Sequence, residues 1–323
     1  MIDTLGKRIK KEYDLWVSKS VATESVRTVC LALGPYRNLT TLTASLLFLH
    51  PRCQVLNHGG LRIFGDPRID WIAHYDRATF ERFLRYAVLI SATGKRGDHG
   101  GSILHSHAFD ARHRTRTIFE RSGLGRVKTQ IESLFWKESL RTSMHLRAHR
   151  VDLADLLAKE PRLRFLLPIR NPMDCARSNL ATGHAHLYHG RAENLAVEEI
   201  LDLILEEISW FKKAERTAPE RFFHFFEYEL GRETLSRLAR FLRLTPTAEQ
   251  PSGSTGDAPE EGDESWLKNA AEACVLQSGY DHPDSLISHF RRRVEEKFSD
   301  FPAFADRLLR FAESGRPTLR RTG

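Results

Sequence analysis

No stretch of the sequence approaches the roughly 18–20 uninterrupted apolar residues of a membrane span, so no integral membrane span is expected. The N-terminal residues MIDTLGKRIKKEYDLW carry charges throughout and lack the apolar run of a signal peptide. Cysteine is scarce: Cys30, Cys53, Cys175 and Cys274 lie far apart, with no C-x-x-C pair. That excludes a zinc ribbon or a disulfide framework, and a reducing cytoplasmic setting is the expectation. With 20 glycines and 13 prolines in 323 residues, the chain is neither collagen-like nor low in complexity. No internal repeat is visible. Acidic residues are in slight deficit, 42 against 49 Lys and Arg, for a net charge of +7 and a pI near 9.3. This favours anionic ligands but is too mild to demand nucleic acid, and no nucleic-acid partner is expected.

What is present is an alternation of strand and helix. Residues 1–19 read as a surface helix. Val26, Val29, Leu31 and Leu33 make a buried strand stopped at Gly34-Pro35. TTLTASLLFL (40–49) reads as a helix stopped by His50-Pro51, and CQVLNH as a second strand ended by Gly59-Gly60. This βαβ unit implies a parallel sheet with a right-handed crossover. A helix is predicted over 76–90, a glycine-rich loop over 94–101, and a strand over ILHSHAF (103–109). Residues 129–136 suit either helix or strand. LRAHRVDLADLLAKEP (146–161) reads as one helix, RFLLPI as a buried strand, 196–216 as a long amphipathic helix, FFHFFEYEL as an aromatic strand, and RETLSRLARFLRL as a helix.

The predicted fold is three-layer α/β: a P-loop-like domain over 1–246 with a central parallel sheet flanked by helices. An acidic, Pro/Gly/Ser-rich flexible linker follows at 247–264. A helical C-terminal segment at 265–323 is expected to pack on the same domain.

Two loops look suited to phosphate. In GPYRNLTTL (34–42), a strand–turn–helix presents free N–H groups and the positive end of a helix dipole, with Arg37, Thr40 and Thr41 as further donors. It fails as a triphosphatase P-loop, because Leu39 and Thr40 stand where that pattern has glycine and lysine. A plain N-cap by Thr40 or Thr41 explains it equally well. In LLPIRNPMDCARSN (166–179), a buried strand delivers Arg170, and Asn171, Pro172 and Asp174 suit N-cap, N1 and N3. A well-capped helix accounts for those three but not for Arg170 at the end of a buried strand, where ligands gather in parallel sheets.

Together these loops resemble the two cofactor motifs of the sulfotransferase family that uses 3′-phosphoadenosine 5′-phosphosulfate (PAPS). Its [KR]-[ST]-G-[TS]-[TS] loop corresponds to Arg37-Asn38-Leu39-Thr40-Thr41. Its R-[DN]-P-x-[DE]-x-x-x-S motif is matched in full from Arg170 to Ser178. His50-Pro51, Lys137-Glu138-Ser139, Glu227-Tyr228-Glu229-Leu230 and Phe241-Leu242-Arg243-Leu244 resemble further family features, so the likeness covers roughly residues 28–244. The departures are Asn38, where the family has Ser or Thr, and Leu39, where it has glycine. A leucine disfavours the positive φ that glycine allows. A shifted loop, weaker affinity, or a binding-only protein of this fold would follow.

The resemblance implies sulfuryl transfer from PAPS, without a metal, to a hydroxyl or amine of a carbohydrate, lipid or small metabolite. Arg37 to Thr41, Arg170 and Ser178 would bind the cofactor. Arg37 and Lys137 would stabilise the leaving phosphate, and His58 would act as base, with Glu138 second. His105 and His107 are a third choice; on a strand they would share a face and could hold a metal. The acceptor-binding parts would be residues 59–127, the 183–195 loop and the C-terminal segment. Arg291-Arg292-Arg293 with Arg316, Arg320 and Arg321 could draw in an anionic acceptor, or form a solvated face. A nucleotide kinase of related fold is the other enzymatic reading, disfavoured by the missing P-loop lysine and glycine.

Overall fold

The computed structural model describes residues 2–94, 100–111, 113–188, 195–244, 260–276 and 279–313. Helix α1 (Ile2–Val17) leads to strand β1 (Thr28–Ala32), then α2 (Thr40–Phe48), β2 (Cys53–His58), a single turn α3 (Gly60–Ile63) and α4 (Arg77–Thr93). Next come β3 (Gly100–Ser102), α5 (Arg114–Arg121), β4 (Ser133–Lys137), α6 (Leu140–Ala148), α7 (Leu153–Lys159), β5 (Leu163–Ile169) and α8 (Pro172–Ala181). The chain continues with α9 (Val197–Glu215), β6 (Phe222–Phe226) and α10 (Arg232–Phe241). Helices α11 (Glu260–Ala273), α12 (Asp284–Lys297) and α13 (Pro302–Glu313) complete it.

The strands form one six-stranded sheet in the order β3-β2-β4-β1-β5-β6. Every pairing is parallel except β2 with β3. Strands β1, β4 and β5 are buried along their whole length, as a parallel sheet covered on both faces requires. Two apolar cores result. One joins Val29, Leu31, Trp136 and Phe165 to α4, α9, α12 and α13; the other joins Cys30, Phe135 and Leu166 to α2, α10 and α11. The helices therefore sandwich the sheet in three layers.

The antiparallel edge strand β3 depends on glycine. A Cβ on Gly100 would sit 2.3 Å from the Gly59 nitrogen, and φ is +133° at Gly100 and +148° at Gly101. The rest of the glycine-rich stretch, 95–99, lies outside the described residues.

Several expectations are corrected. Residues 103–109 are two 3₁₀ turns, Ile103–His105 and His107–Phe109, not a strand, so His105 and His107 do not share a strand face. The helix expected over 146–161 is broken. Arg150 takes φ +50°, and Asp152 caps α7 by accepting from the Ala154 and Asp155 N–H groups. The ambiguous 129–136 stretch yields strand β4. The aromatic strand stops at Phe226 and turns into a 3₁₀ segment, Glu227–Glu229.

Of the acidic stretch 247–264, residues 260–264 begin α11, and the remainder lies outside the described residues, as do Arg316, Arg320, Arg321 and most of the 183–195 loop's second half (189–194). Helix α11 is seated by Trp266, whose indole N–H donates to the Leu46 carbonyl at 2.9 Å and whose ring meets His50 edge-on. The His50-Pro51 motif thus serves packing.

Candidate active site

The C-terminal ends of β2, β4, β1, β5 and β6 all open on one edge of the sheet, where open parallel sheets collect ligands. At the centre is the β1–α2 loop. It takes positive φ at Gly34 (+90°), Arg37 (+64°) and Leu39 (+59°). The leucine thus adopts a left-handed conformation of the kind that glycine takes readily. That conformation costs an L-residue about 1–2 kcal/mol. Leu39 is the N-cap of α2, and its carbonyl accepts the Thr43 N–H and hydroxyl, at 2.9 and 3.0 Å. The N–H groups of Thr40, Thr41 and Leu42 precede that first helical bond and are available to an anion.

Asn38 is 1% exposed, and its side chain is consumed internally. Its amide N–H donates to the Pro168 carbonyl, and its Oδ1 accepts the Arg170 N–H at 2.8 Å. Strand β1 ends at Ala32, level with Leu166, so β5 continues past its neighbour. A residue of a parallel strand opposite Ile169 would donate to the carbonyl of 168 and accept from the N–H of 170. The Asn38 amide makes both bonds and so takes the place of the missing strand. This sets the backbone from which Arg170 projects.

Helix α8 grips the same loop. Arg37 Nε donates to Ser178 Oγ at 2.9 Å, so the two sequence motifs meet side chain to side chain. The Tyr36 carbonyl accepts from Asn179 Nδ2 at 2.9 Å and from the Cys175 thiol at 3.1 Å. Burial pushes that thiol up to about 12, which keeps it a donor. From below, Ser143 Oγ of α6 accepts the Gly34 N–H at 2.9 Å.

Arg170 is 6% exposed, and its Nε is buried without a hydrogen-bond partner among the described residues. The nearest carboxylate, Glu227, lies 3.9 Å away and accepts the Asn171 N–H at 3.1 Å. Burial raises the Glu227 carboxyl above the usual carboxylate range, against the pull of that N–H and of Arg170. A buried guanidinium with an orphaned donor suits an incoming anion. Asp174, expected only as a cap, reaches across to the C-terminal part instead. It accepts the Tyr280 N–H at 2.8 Å, and His282 Nε2 lies 3.0 Å from it. Burial opposes its ionisation, but His282, the Tyr280 N–H and Arg170 outweigh it and hold the carboxyl below its ordinary range.

On the other side of β1, Asn57 and Lys137 are paired across β2 and β4. Lys137 Nζ donates to Asn57 Oδ1 at 3.2 Å and lies 3.3 Å from His58 Nε2. His58 has φ +62°, and its carbonyl accepts the Trp136 indole N–H at 2.7 Å, which fixes the ring's position at the sheet edge. Glu138 is fully buried. It accepts the Gly60 N–H at 2.8 Å and an Arg141 N–H at 3.4 Å. Burial pushes it above the usual carboxylate range, opposed by Gly60 and Arg141. With both oxygens engaged, it holds the turn after β2 rather than facing an acceptor.

The structure therefore gathers Arg37, Thr40, Thr41, Arg170 and Ser178 into one cluster, and His58 and Lys137 into a second at the same edge. Asn38 and Glu138 become positioning residues. Asn57, Ser143 and Asn179 are neighbours that sequence reasoning missed. Asn57, next to His58, carried the only positional hint; the others show themselves only through tertiary contact. Among the described residues, no three or more His, Cys, Asp and Glu side chains group as a metal site. No helix among them is long and apolar enough to cross a membrane.

No family model matches the chain, and no curated protein matches it in sequence. Among solved structures it is similar to a sulfotransferase from Mycobacterium avium, at 15% identity and a TM-score of 0.43 over 87% of this chain and 77% of that one.

Proposed function

We propose that the protein is a sulfotransferase that moves a sulfuryl group from PAPS to a hydroxyl or amine. The acceptor would be a carbohydrate, lipid or small metabolite. The observation that carries this reading is the Arg37–Ser178 hydrogen bond, which unites the two motif loops beside a buried Arg170 whose Nε makes no hydrogen bond among the described residues. A helix-capping role for each loop would not require that union.

Arg170 and Ser178 would hold the 3′-phosphate, and the N–H groups of Thr40, Thr41 and Leu42 the 5′-phosphosulfate. When bound, PAPS supplies an activated sulfuryl group. His58 would take the proton from the acceptor as its oxygen or nitrogen bonds to sulfur. Lys137 would stabilise the negative charge left on the phosphate as the bridging S–O bond breaks. Arg37, engaged with Ser178, lies at the 3′-phosphate side of the loop and would share that binding task.

The alternatives are a binding-only protein of the same fold and a nucleotide kinase. The first rests on Leu39, whose backbone takes the left-handed conformation despite its side chain.

Calorimetric titration with adenosine 3′,5′-bisphosphate, compared with ATP and without added metal, separates them. Micromolar bisphosphate binding with ATP much weaker is expected. It should weaken at least tenfold in Arg170→Ala, and in Ser178→Ala by less. ATP binding in preference would move the kinase reading to first place. His58→Asn, which tolerates the left-handed backbone, should lower turnover while leaving bisphosphate affinity within about twofold. Normal turnover would remove His58 from the base role.

A further inference from the structure

Helix α1 is amphipathic the wrong way round. The side facing the protein packs Leu15 against the core but is otherwise tied down by ion pairs. Asp14 meets Arg62 in a buried contact and Lys10 at 3.0 Å, while Lys11 reaches Asp66 at 2.7 Å. The outward side carries Leu5, Ile9, Tyr13 and Trp16, each between 61 and 67% exposed. Their spacing of four, four and three places them in one stripe. Four exposed large apolar side chains on one stripe are a patch, not scattered exposure.

At the C-terminal end of the stripe lies a depression of about 340 Å³, lined by Trp16 and by Lys19, Arg68, Arg82 and Arg85, with Glu12 as its one carboxylate. Arg68 is bound to Glu12 and Asp66, which leaves Lys19, Arg82 and Arg85 as the outward charge. The apolar stripe thus runs directly into a basic cleft.

We propose that this face docks on an anionic lipid bilayer. Leu5, Ile9, Tyr13 and Trp16 enter the boundary between headgroups and acyl chains, and Lys19, Arg82 and Arg85 meet phosphate headgroups. Two features favour a bilayer over a second copy of the chain. The stripe is about 17 Å long at 1.5 Å per residue, and its four exposed side chains together fall short of the roughly 800 Å² that each partner of a stable pair buries. The cleft lining carries four cations, Lys19, Arg68, Arg82 and Arg85, against the one carboxylate of Glu12, an excess that suits an anionic surface and repels itself across a two-fold pair. Aromatic and aliphatic side chains flanked by cations are the composition of interfacial helices. The proposal is independent of the reaction assigned to the sheet edge.

The test is co-sedimentation of the full chain with phosphatidylcholine vesicles, with and without phosphatidylglycerol, together with tryptophan emission. Trp71, Trp136 and Trp266 are fully buried and Trp210 is half-buried under Arg147, so a blue shift that is lost in Trp16→Ser is assigned to Trp16. Binding to the anionic vesicles is expected, with little to the neutral ones. The Ile9→Ser/Trp16→Ser variant should lose at least about tenfold, and Arg82→Gln and Arg85→Gln about fivefold each. All these side chains lie at the surface, and an unchanged melting temperature would show that the fold is kept. Equal binding by wild type and the Ile9→Ser/Trp16→Ser variant would overturn the proposal, as would no binding at all. So would a concentration-dependent dimer that the same variant abolishes, which would assign the stripe to self-association.

Discussion

The Asn38 amide is the joint on which the cofactor site is expected to depend, and Asn38→Ala removes it. The change strands two buried backbone groups, the Pro168 carbonyl and the Arg170 N–H, which the side chain now satisfies. Each unsatisfied buried group costs about 1–3 kcal/mol. With partial relaxation or entry of a water, a total of about 2–4 kcal/mol is expected. For a chain of 323 residues that lowers the melting temperature by about 3–6 °C. Arg170 should also lose its fixed starting point, weakening adenosine 3′,5′-bisphosphate by roughly tenfold, about 1.4 kcal/mol.

Asn38→Asp sharpens the test. It keeps an acceptor for Arg170 but turns an oxygen towards the Pro168 carbonyl, so it should destabilise as well. Thermal unfolding gives the first magnitude and calorimetry the second. A double-mutant cycle with Arg170→Ala should be non-additive in binding, because Asn38 acts through Arg170. If Asn38→Ala melts within a degree of wild type, the strand-replacing role is wrong. If its binding loss adds fully to that of Arg170→Ala, Asn38 contacts the ligand itself.

Leu39→Gly should leave the melting temperature within a few degrees, because relief of left-handed strain, about 1–2 kcal/mol, is offset by the greater chain entropy of glycine. It should tighten bisphosphate binding severalfold by clearing the loop, and a weaker complex would show that the leucine side chain packs on the ligand. Lys128 is buried, with its ammonium 4.1 Å from the Phe48 ring centre, and burial pushes it down from 10.5 to about 8, partly opposed by Cys53. The unfolded chain therefore holds the extra proton between about pH 8 and 10.5, and stability should rise with pH across that window, by about 3 kcal/mol at most. Lys128→Met should flatten the rise and raise the melting temperature at pH 7 by a few degrees, less whatever the aromatic contact contributes. Denaturant titrations at pH 7 and 10 check both, and an unchanged slope would place the titrating group elsewhere.

The layered fold was legible because its signals are local and redundant. Residues 29–32 of β1 and 165–169 of β5 are apolar runs, Asn171-Pro172 opens α8 as an N-cap and N1 pair, and Gly34-Pro35 ends β1's run where the loop begins. The failures came where a local pattern had two readings. ILHSHAF alternates like a strand, yet Ser102 accepts the Leu104 N–H and starts a 3₁₀ turn. The sequence around Arg150 has helical periodicity, yet Asp152 offers a cap two residues later, and that signal was overlooked.

The site was half legible for a related reason. Motif spacing can name Arg37, Arg170 and Ser178, because each sits at a fixed offset from a strand end. It cannot say what a side chain spends its hydrogen bonds on. Asn38 and Glu138 read as a ligand and a base while their partners are unknown. The Arg170 N–H and the Pro168 carbonyl are found on one, and the Gly60 N–H and Arg141 on the other, so both buried side chains are held by their own chain. Leu39 is the opposite case. Its intrinsic preference argues against a left-handed turn, but its neighbours over-determine the backbone. Asn38 is pinned to β5, Tyr36 to α8 and Gly34 to α6, so the loop between β1 and α2 has no slack in which residue 39 could choose a different φ. A glycine there is one way to allow the turn, and a loop clamped from three elements is another. That is why a leucine can hold a left-handed conformation at this position.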